Sequence, residues 1–436
     1  YGVAFTEKDE LNNYLRQQAE AEKRDHRKVG PELGLFIMSE LVGAGLPLLL
    51  PKGETLKHTL REYMREKEEA LGYQYVSTPV MAHEELYKRS GHAGFYDDSM
   101  YKLTDDEDKV FYLKPMNCPH HHMIYERMAQ SYRDLPLKLA EGDGIYRKEL
   151  SGTLSGLIRV RGPISQNDSH IYIEPQDLKT EFIKVLELFK AVYEEVNLTG
   201  YWYRLSLPDF DDPKAKFAGD KQVWEDASQA IRDALEEFGA EYVEAEGEAA
   251  FYGPKLDVQI RNVTGHEDTI ATSQVDVLVP HRMGLTYIDQ HGKAVEPIII
   301  HRAILGSYER FMAFLIEHTA GNFPVWLAPE QVRLATVSDA PAIQERAREM
   351  RDQLKAAGVK VELDSTDESV GKKIRIATMQ KVPYMIVVGE KEVESANVSP
   401  RVRKDLGEGE PKLDFNEFVK QVQDEIKQRA IQSTLT

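Results

Sequence analysis

The chain of 436 residues carries 42% apolar and 29% charged side chains, a balance that excludes disordered and collagen-like classes and suffices for two or three domains. Its net charge of −18, from 55 basic and 73 acidic residues, argues on its face against a nucleic-acid partner, yet residues 326–436 hold 18 Lys+Arg against 19 Asp+Glu, so the total does not exclude a local basic patch there. No apolar run approaches the roughly 18 residues of a membrane-spanning helix, and the single cysteine, Cys118, excludes an intrachain disulfide framework and points to the cytoplasm or an organelle matrix.

Position 1 is Tyr, with no leader-like segment after it, and a longer parent chain is expected. Residues 8–28 are charged, lack Gly and Pro, and carry few apolar positions, so an exposed helix is expected there, within an N-terminal linker of residues 1–29. From Gly30 the pattern mixes: a helix over Glu54–Leu71, a strand over Tyr73–Thr78 closed by Pro79, and a helix after Pro119. Strands follow at Leu137–Ala140, Gly144–Arg147 and Ser169–Ile173, then helices at Pro175–Val196 and Lys221–Phe238. Apolar strand-like runs close the region at Leu256–Ile260, Gln274–Val279 and Pro297–His301. Strands that succeed one another across short turns predict an α+β domain with an antiparallel sheet, over residues 30–325. No G-x-G-x-x-G or G-x-x-x-x-G-K-[ST] phosphate loop occurs.

After Phe323-Pro324 strands and helices alternate: Gln331–Ser338, Ala340–Ala357, Val359–Leu363, Gly371–Gln380, Pro383–Val388 and a last helix over Asp414–Arg429. This predicts a small α/β domain with a mixed sheet over residues 326–436.

Cys118 lies in Lys114–His120 (KPMNCPH), close to a helix N-terminus that would lower a thiol pKa and suit a thiolate ligand; the plainer alternative for a lone cysteine is a buried apolar filler. His120, His121 and His122 point in different directions on a helix and cannot share one metal, so surface or cap roles are expected for them. His170 and His301, each alone on a strand, read as core histidines, and no local zinc spacing links them to Cys118. Arg147, Lys148, Arg159 and Arg161 surround a glycine-rich turn that could cover a polyphosphate or be a charged surface hairpin. At Gly306-Ser307-Tyr308-Glu309-Arg310, Ser307 suits an N-cap, and Arg310 in the first turn opposes the helix dipole unless an anion binds there.

Together, Leu71–Pro79, the Arg147 hairpin and the Gly306–Arg310 helix start resemble motifs 1, 2 and 3 of class II aminoacyl-tRNA synthetases. The segments KPMNCP, SYRDLP, GLIRVRG, AFYGPK, IHRAILGS and VPYMIVVG resemble, in order, the threonyl-tRNA synthetase family across about residues 25–430. The resemblance implies a class II synthetase catalytic domain followed by an anticodon-binding domain, working as a cytoplasmic homodimer through motif 1 around Pro79. It implies zinc held by Cys118, His170 and His301, with ATP bound alongside Mg2+. It places Met116, Asp168, Tyr252 and Gln274 at the amino acid, with Asp168 on the substrate hydroxyl. Arg147 is implied at the ATP α-phosphate, Glu149 near the adenine and Arg310 at the γ-phosphate. His92 is implied near the terminal ribose of tRNA(Thr), and Arg375, Glu392 and Arg401 at the anticodon. The chain departs from the family pattern at His120, where Gly is usual, at Ser155, where His is usual, and at Asp367, where Asn is usual.

Two other classes compete. A synthetase-like RNA-binding protein without catalysis would be expected to have lost Arg147, Arg310 or a zinc ligand, and a serine or proline enzyme would not be expected to combine Cys118, Asp168, His170 and His301.

Overall fold

The structure, a computed structural model, describes residues 3–211, 220–262, 265–407 and 409–435. Tyr1, on which the expectation of a longer parent rested, lies outside them. The larger sheet is built from β1 (Gln74–Tyr75), β2 (Leu137–Glu141), β3 (Gly144–Ile145), β4 (Ile164–Ile173), β5 (Tyr201–Leu207), β6 (Tyr242–Glu246), β7 (Lys255–Arg261), β8 (Glu267–Asp276) and β9 (Ile298–Ser307). Their spatial order is β6-β5-β7-β8-β9-β4-β2-β1, with β3 on β4. Pairing is antiparallel except at the two ends, β1 with β2 and β5 with β6.

Alternation along these strands divides the sheet into two faces. Leu205, Val258, Ile300 and Ile304 join the main core with Phe182, Val185, Phe189 and Val192 of helix Leu178–Glu195 and with Ile231 and Leu235 of helix Lys221–Phe238. Asp168, His170, Gln274 and His301 take the opposite face, so the fold leaves that side of the sheet for chemistry.

Helix Pro51–Ala70 starts with Pro at its first position and buries Leu56, Leu60, Tyr63 and Met64, one stripe at helical spacing. Burying each of Leu56, Leu60 and Met64 contributes roughly 1.5–3 kcal/mol, more than the roughly 0.3–1 kcal/mol that Glu54 or Lys67 adds at the helix ends. At the helix's last turn, Glu68 is fully buried and takes the guanidinium of Arg302, the amide of Asn167 at 2.9 Å and the hydroxyl of Tyr75. Arg302 also stacks on Tyr73, 4.3 Å from the ring centroid. Arg302→Met would leave the Glu68 carboxylate buried without its cation, and denaturant unfolding should show a loss of roughly 3–5 kcal/mol; a loss under about 1 kcal/mol would mean that water reaches Glu68.

The smaller sheet orders Val361–Asp364, Val332–Thr336, Tyr384–Val388 and Arg401–Val402, the first three parallel and the last antiparallel. It has its own core around Val332, Leu334, Ile386, Met350 and Phe418.

Three expectations need correction. Gln274–Val279 is not one strand: β8 ends at Asp276, whose Oδ1 accepts from the N–H groups of Leu278 and Val279 and turns the chain into the short helix Val279–Met283. The strands β5 and β6 were missed, because Tyr201–Leu207 and Tyr242–Glu246 lie near an edge and carry mixed aromatic and charged residues. The exposed N-terminal helix, Lys8–Arg24, buries only Ala21, but it ends short of residue 28; His26 begins a second helix, His26–Glu32, and is buried.

Candidate functional site

Cys118 is the first residue of helix Cys118–Met128, His170 lies on β4 and His301 on β9. His170 and His301 stand opposite each other in register, with ring centroids 4.5 Å apart and planes at 83°. The donor atoms of all three buried side chains lie within 4.8 Å of one another, a spacing one metal ion can span. The strand pairing therefore assembles a ligand set that no local spacing announces.

Neighbouring groups orient this set. His121 Nε2 lies 3.2 Å from Glu141 Oε2, and His121 Nδ1 lies 2.8 Å from His170 Nδ1. With the Glu141 carboxylate ionised, His121 donates to it and accepts from His170, which leaves the Nε2 lone pair of His170 for a metal. Burial raises the Glu141 carboxyl, but the hydrogen bond from His121 and the Lys114 ammonium outweigh it and hold the group at about 2. On the other ligand, His301 Nε2 meets Asp276 Oδ2 at 3.1 Å. The donor set of one thiol and two imidazoles, with Asp276 behind His301 and His121, itself backed by Glu141, behind His170, fits a zinc ion with an open position.

His120, His121 and His122, expected in surface or cap roles, are all buried: His121 and His122 meet His170 and Tyr172 of the sheet, and His120 meets Tyr87 of helix Glu84–Arg89. His122 Nδ1 pairs with the Tyr172 hydroxyl at 2.9 Å, while neither ring nitrogen of His120 has a hydrogen-bond partner among the described residues. The expectation of a lowered thiol pKa also fails. Burial, then Asp168 and Asp276, push Cys118 well above the usual thiol value and outweigh the helix N-terminus. Zinc would reverse this, since a coordinating thiol is deprotonated outright.

A cavity of about 190 Å3 opens above these ligands, lined also by Met116, Asp168, Tyr252 and Gln274. Asn117 at the helix start donates from Nδ2 to Asp168 Oδ2 at 3.0 Å. Burial raises the Asp168 carboxyl against the pull of His121 and His301. Tyr252 stacks on His301, with centroids 5.1 Å apart, and its hydroxyl bonds Gln274.

A second cavity, about 240 Å3, is lined by Arg147, Glu149, Arg159, Ser307 and Arg310. Arg147 lines both cavities and is held by its Nε donating to Pro115 O at 3.1 Å. Arg310 donates from Nε to Ile158 O at 2.9 Å and from a terminal nitrogen to Thr269 O at 3.1 Å. Burial, then Arg159, lowers its pKa, yet a guanidinium stays charged. Ser307 Oγ accepts from the Arg310 N–H at 3.1 Å and caps the helix Tyr308–Thr319. Gly306 precedes it at φ +60°, where a Cβ would stand 2.4 Å from Ile270 O, so no larger residue fits this turn. Three arginines around one cavity suit a polyanion.

The remaining expected residues are more scattered. His92 is fully buried, with Nδ1 2.9 Å from Ser90 Oγ and Nε2 3.5 Å from Cys118 Sγ, and burial lowers its pKa to about 4. In the small domain, Arg401 lines a groove of about 800 Å3 beside Lys381, Arg403 and Lys404. Arg375 is exposed on helix Val370–Met379, and Glu392 accepts from the Gly389 N–H at 2.9 Å. The sequence alone assigned His121 a surface or cap role and did not single out Glu141, Asp276 or Asn117. The available signal was a charged residue, Glu141, ending the wholly buried run Leu137–Glu141.

Residues 101–319 match the family described as tRNA synthetase class II core domain (G, H, P, S and T), and residues 331–425 match the anticodon binding domain. Among curated proteins, the chain is 47% identical over 427 residues to threonine–tRNA ligase of Halalkalibacterium halodurans and 46% identical over 427 residues to threonine–tRNA ligase 1 of Bacillus subtilis. Each alignment covers 98% of this chain, which spans 65% and 66% of the respective relatives' lengths. A crystal structure described as the RNA binding domain of threonyl-tRNA synthetase from Cryptosporidium parvum superposes with TM-score 0.84 at 32% identity, covering 95% of this chain and all of that one. With a class II core and an anticodon-binding module in that order, the chain belongs to the threonyl-tRNA synthetase family.

Proposed function

We propose that the chain is a threonine–tRNA ligase, which activates threonine with ATP and transfers it to tRNA(Thr). The observation that carries this is Arg147, whose side chain borders both the Cys118–His170–His301 cavity and the arginine-lined cavity. An α-phosphate beside Arg147 would thus meet an amino-acid carboxylate arriving from the first cavity.

Cys118, His170 and His301 would hold the zinc, and Asp168 would accept a hydrogen bond from the substrate hydroxyl. When bound, zinc supplies a Lewis-acidic centre for the amino and hydroxyl groups of threonine. Met116, Tyr252 and Gln274 complete the amino-acid pocket. Arg147 and Arg310 orient ATP, taken with Mg2+, and neutralise the charge that builds on its phosphates. The carboxylate oxygen forms a bond to the α-phosphorus, the bond from that phosphorus to the bridging oxygen breaks, and pyrophosphate departs with the electron pair. The nucleophile is already ionised, so no general base is required. Glu149, which lines the same cavity, would meet the adenine.

The proposal assigns residues 30–325 to catalysis, 326–436 to the anticodon through Arg375, Glu392 and Arg401, and 1–29 to a linker. It adds His92 to the transfer step, a homodimer formed through motif 1 around Pro79, and a place in the cytoplasm. No helix among the described residues is long and apolar enough to cross a membrane.

Pyrophosphate exchange with threonine, valine and serine tests the function. Valine presents a methyl where Asp168 and the metal require oxygen and should be rejected by roughly 10^4–10^5. Serine keeps the hydroxyl and lacks one methyl, so discrimination should reach only about 10- to 200-fold. Exchange with proline or serine exceeding that with threonine would sink the assignment.

A further inference from the structure

A second group of metal-capable side chains, Asp25, His26 and Glu317, lies away from the zinc set, its donor atoms within 4.8 Å of one another. Hydrogen bonding argues against a metal there. His26 Nε2 accepts the backbone N–H of Leu157 at 3.2 Å, so that nitrogen carries no proton. The ring proton is therefore on Nδ1, 2.7 Å from Glu317 Oε1. A metal on Nδ1 would force a proton onto Nε2, facing another N–H. Asp25 is also engaged elsewhere, with Oδ1 accepting from Arg27 N at 2.8 Å and Oδ2 from an Arg27 terminal nitrogen at 2.6 Å.

What the imidazole does instead is join two elements. Glu317 and Arg310 are seven residues apart on helix Tyr308–Thr319, two turns along one face. Arg310 grips the hairpin over Ser155–Arg161 through Ile158 O, and Glu317 grips the adjacent residue, Leu157, through His26. The loop passes so near the ring that a Cβ on Gly156, at φ +48°, would stand 2.2 Å from His26 Nε2. His26 and Leu157 are buried, at 1% and 0% exposure, so water cannot replace either bond. Ile158, Arg159 and Val160 of this hairpin form a wall of the arginine-lined cavity.

We infer that His26 is a positioning residue for ATP, fixing with Glu317 the hairpin that carries Ile158 and Arg159 so that Arg310 and Arg159 face the nucleotide together. The inference rests on the threonine-activation proposal and extends it to a residue outside all three motifs. His26→Phe keeps the ring and loses both hydrogen bonds, and Glu317→Leu removes the acceptor while leaving His26 in place. Steady-state pyrophosphate exchange should show KM for ATP raised about tenfold in each variant. KM for threonine and the bound zinc should stay within about twofold of the parent chain. The double variant should be no worse than either single one, because both break one relay. Glu317→Gln, which keeps an acceptor oxygen, should restore the parent KM for ATP. A folded His26→Phe or Glu317→Leu chain with unchanged KM for ATP, or with both KM values raised equally, would overturn the inference. A parent chain without threonine-dependent exchange would overturn the functional proposal instead.

Discussion

Arg147→Ala and Arg310→Ala should each lower threonine-dependent pyrophosphate exchange by roughly 10^2–10^3, the effect of deleting one preorganised charge-assisted contact to a developing anion. The geometry separates the two. Arg147 borders both cavities, so its loss should depress kcat and kcat/KM together, as expected when an interaction is made chiefly in the transition state. Arg310 borders the arginine-lined cavity alone, and its loss should also raise KM for ATP. Arg310→Ala further frees Ile158 O and Thr269 O, both half-buried beside the cavity, so part of its effect would come from the loosened hairpin. Arg310→Lys should recover little, since a single ammonium cannot serve two carbonyls and a phosphate from one planar fork. An effect of either alanine variant below about threefold would place ATP elsewhere.

Metal analysis of the parent chain should find one zinc, and Cys118→Ala should carry almost none. The thiol is the only soft donor in the set, and its removal leaves two imidazoles facing a cavity. Threonine activation should then fall by the roughly 10^4–10^5 that separates a substrate with its polar partners satisfied from one without. His121→Ala tests the outer layer. It removes the link from Glu141 to His170 and should weaken zinc affinity about 10- to 100-fold, read in a chelator competition without any assay of activity. Active protein without zinc, or full threonine activation by Cys118→Ala, would refute the assignment. Full zinc affinity in His121→Ala would show that His170 is oriented by strand pairing alone.

The elements with strong periodicity were legible from residues alone. Helix Lys221–Phe238 appears at its expected bounds, helix Pro51–Ala70 within three residues of them, and the alternating small domain in its expected order. These are local properties: a stripe of apolar side chains or a run of β-branched residues is visible in any short window. The same holds for Ser307, whose capping role follows from its place between a strand and a helix. The threefold match to the synthetase motifs likewise needed only order along the chain.

Tertiary structure decided what depends on partners distant in sequence. Taken one by one, Cys118 read as a filler or a helix-start thiolate and His170 and His301 as core histidines, and only the family resemblance joined them; the physical reason is the antiparallel pairing that sets His301 across from His170 and the helix start that brings the thiol within reach of both. Three consecutive histidines looked like surface or cap residues, since helical directions diverge, but the sheet meets His121 and His122, Tyr87 meets His120, and His121 came to support His170. The sign of the Cys118 shift could not be read from its place at a helix N-terminus, because desolvation by surrounding chain exceeds the field of one helix end. His26 looked like the end of a solvent-exposed linker, and only the return of Leu157 and Glu317 to its two ring nitrogens tied it to the hairpin whose Ile158 and Arg159 line the arginine-rich cavity. A residue's own chemistry and its near neighbours are written in the chain order; burial and hydrogen-bond partners are set by segments that meet only when the sheet closes.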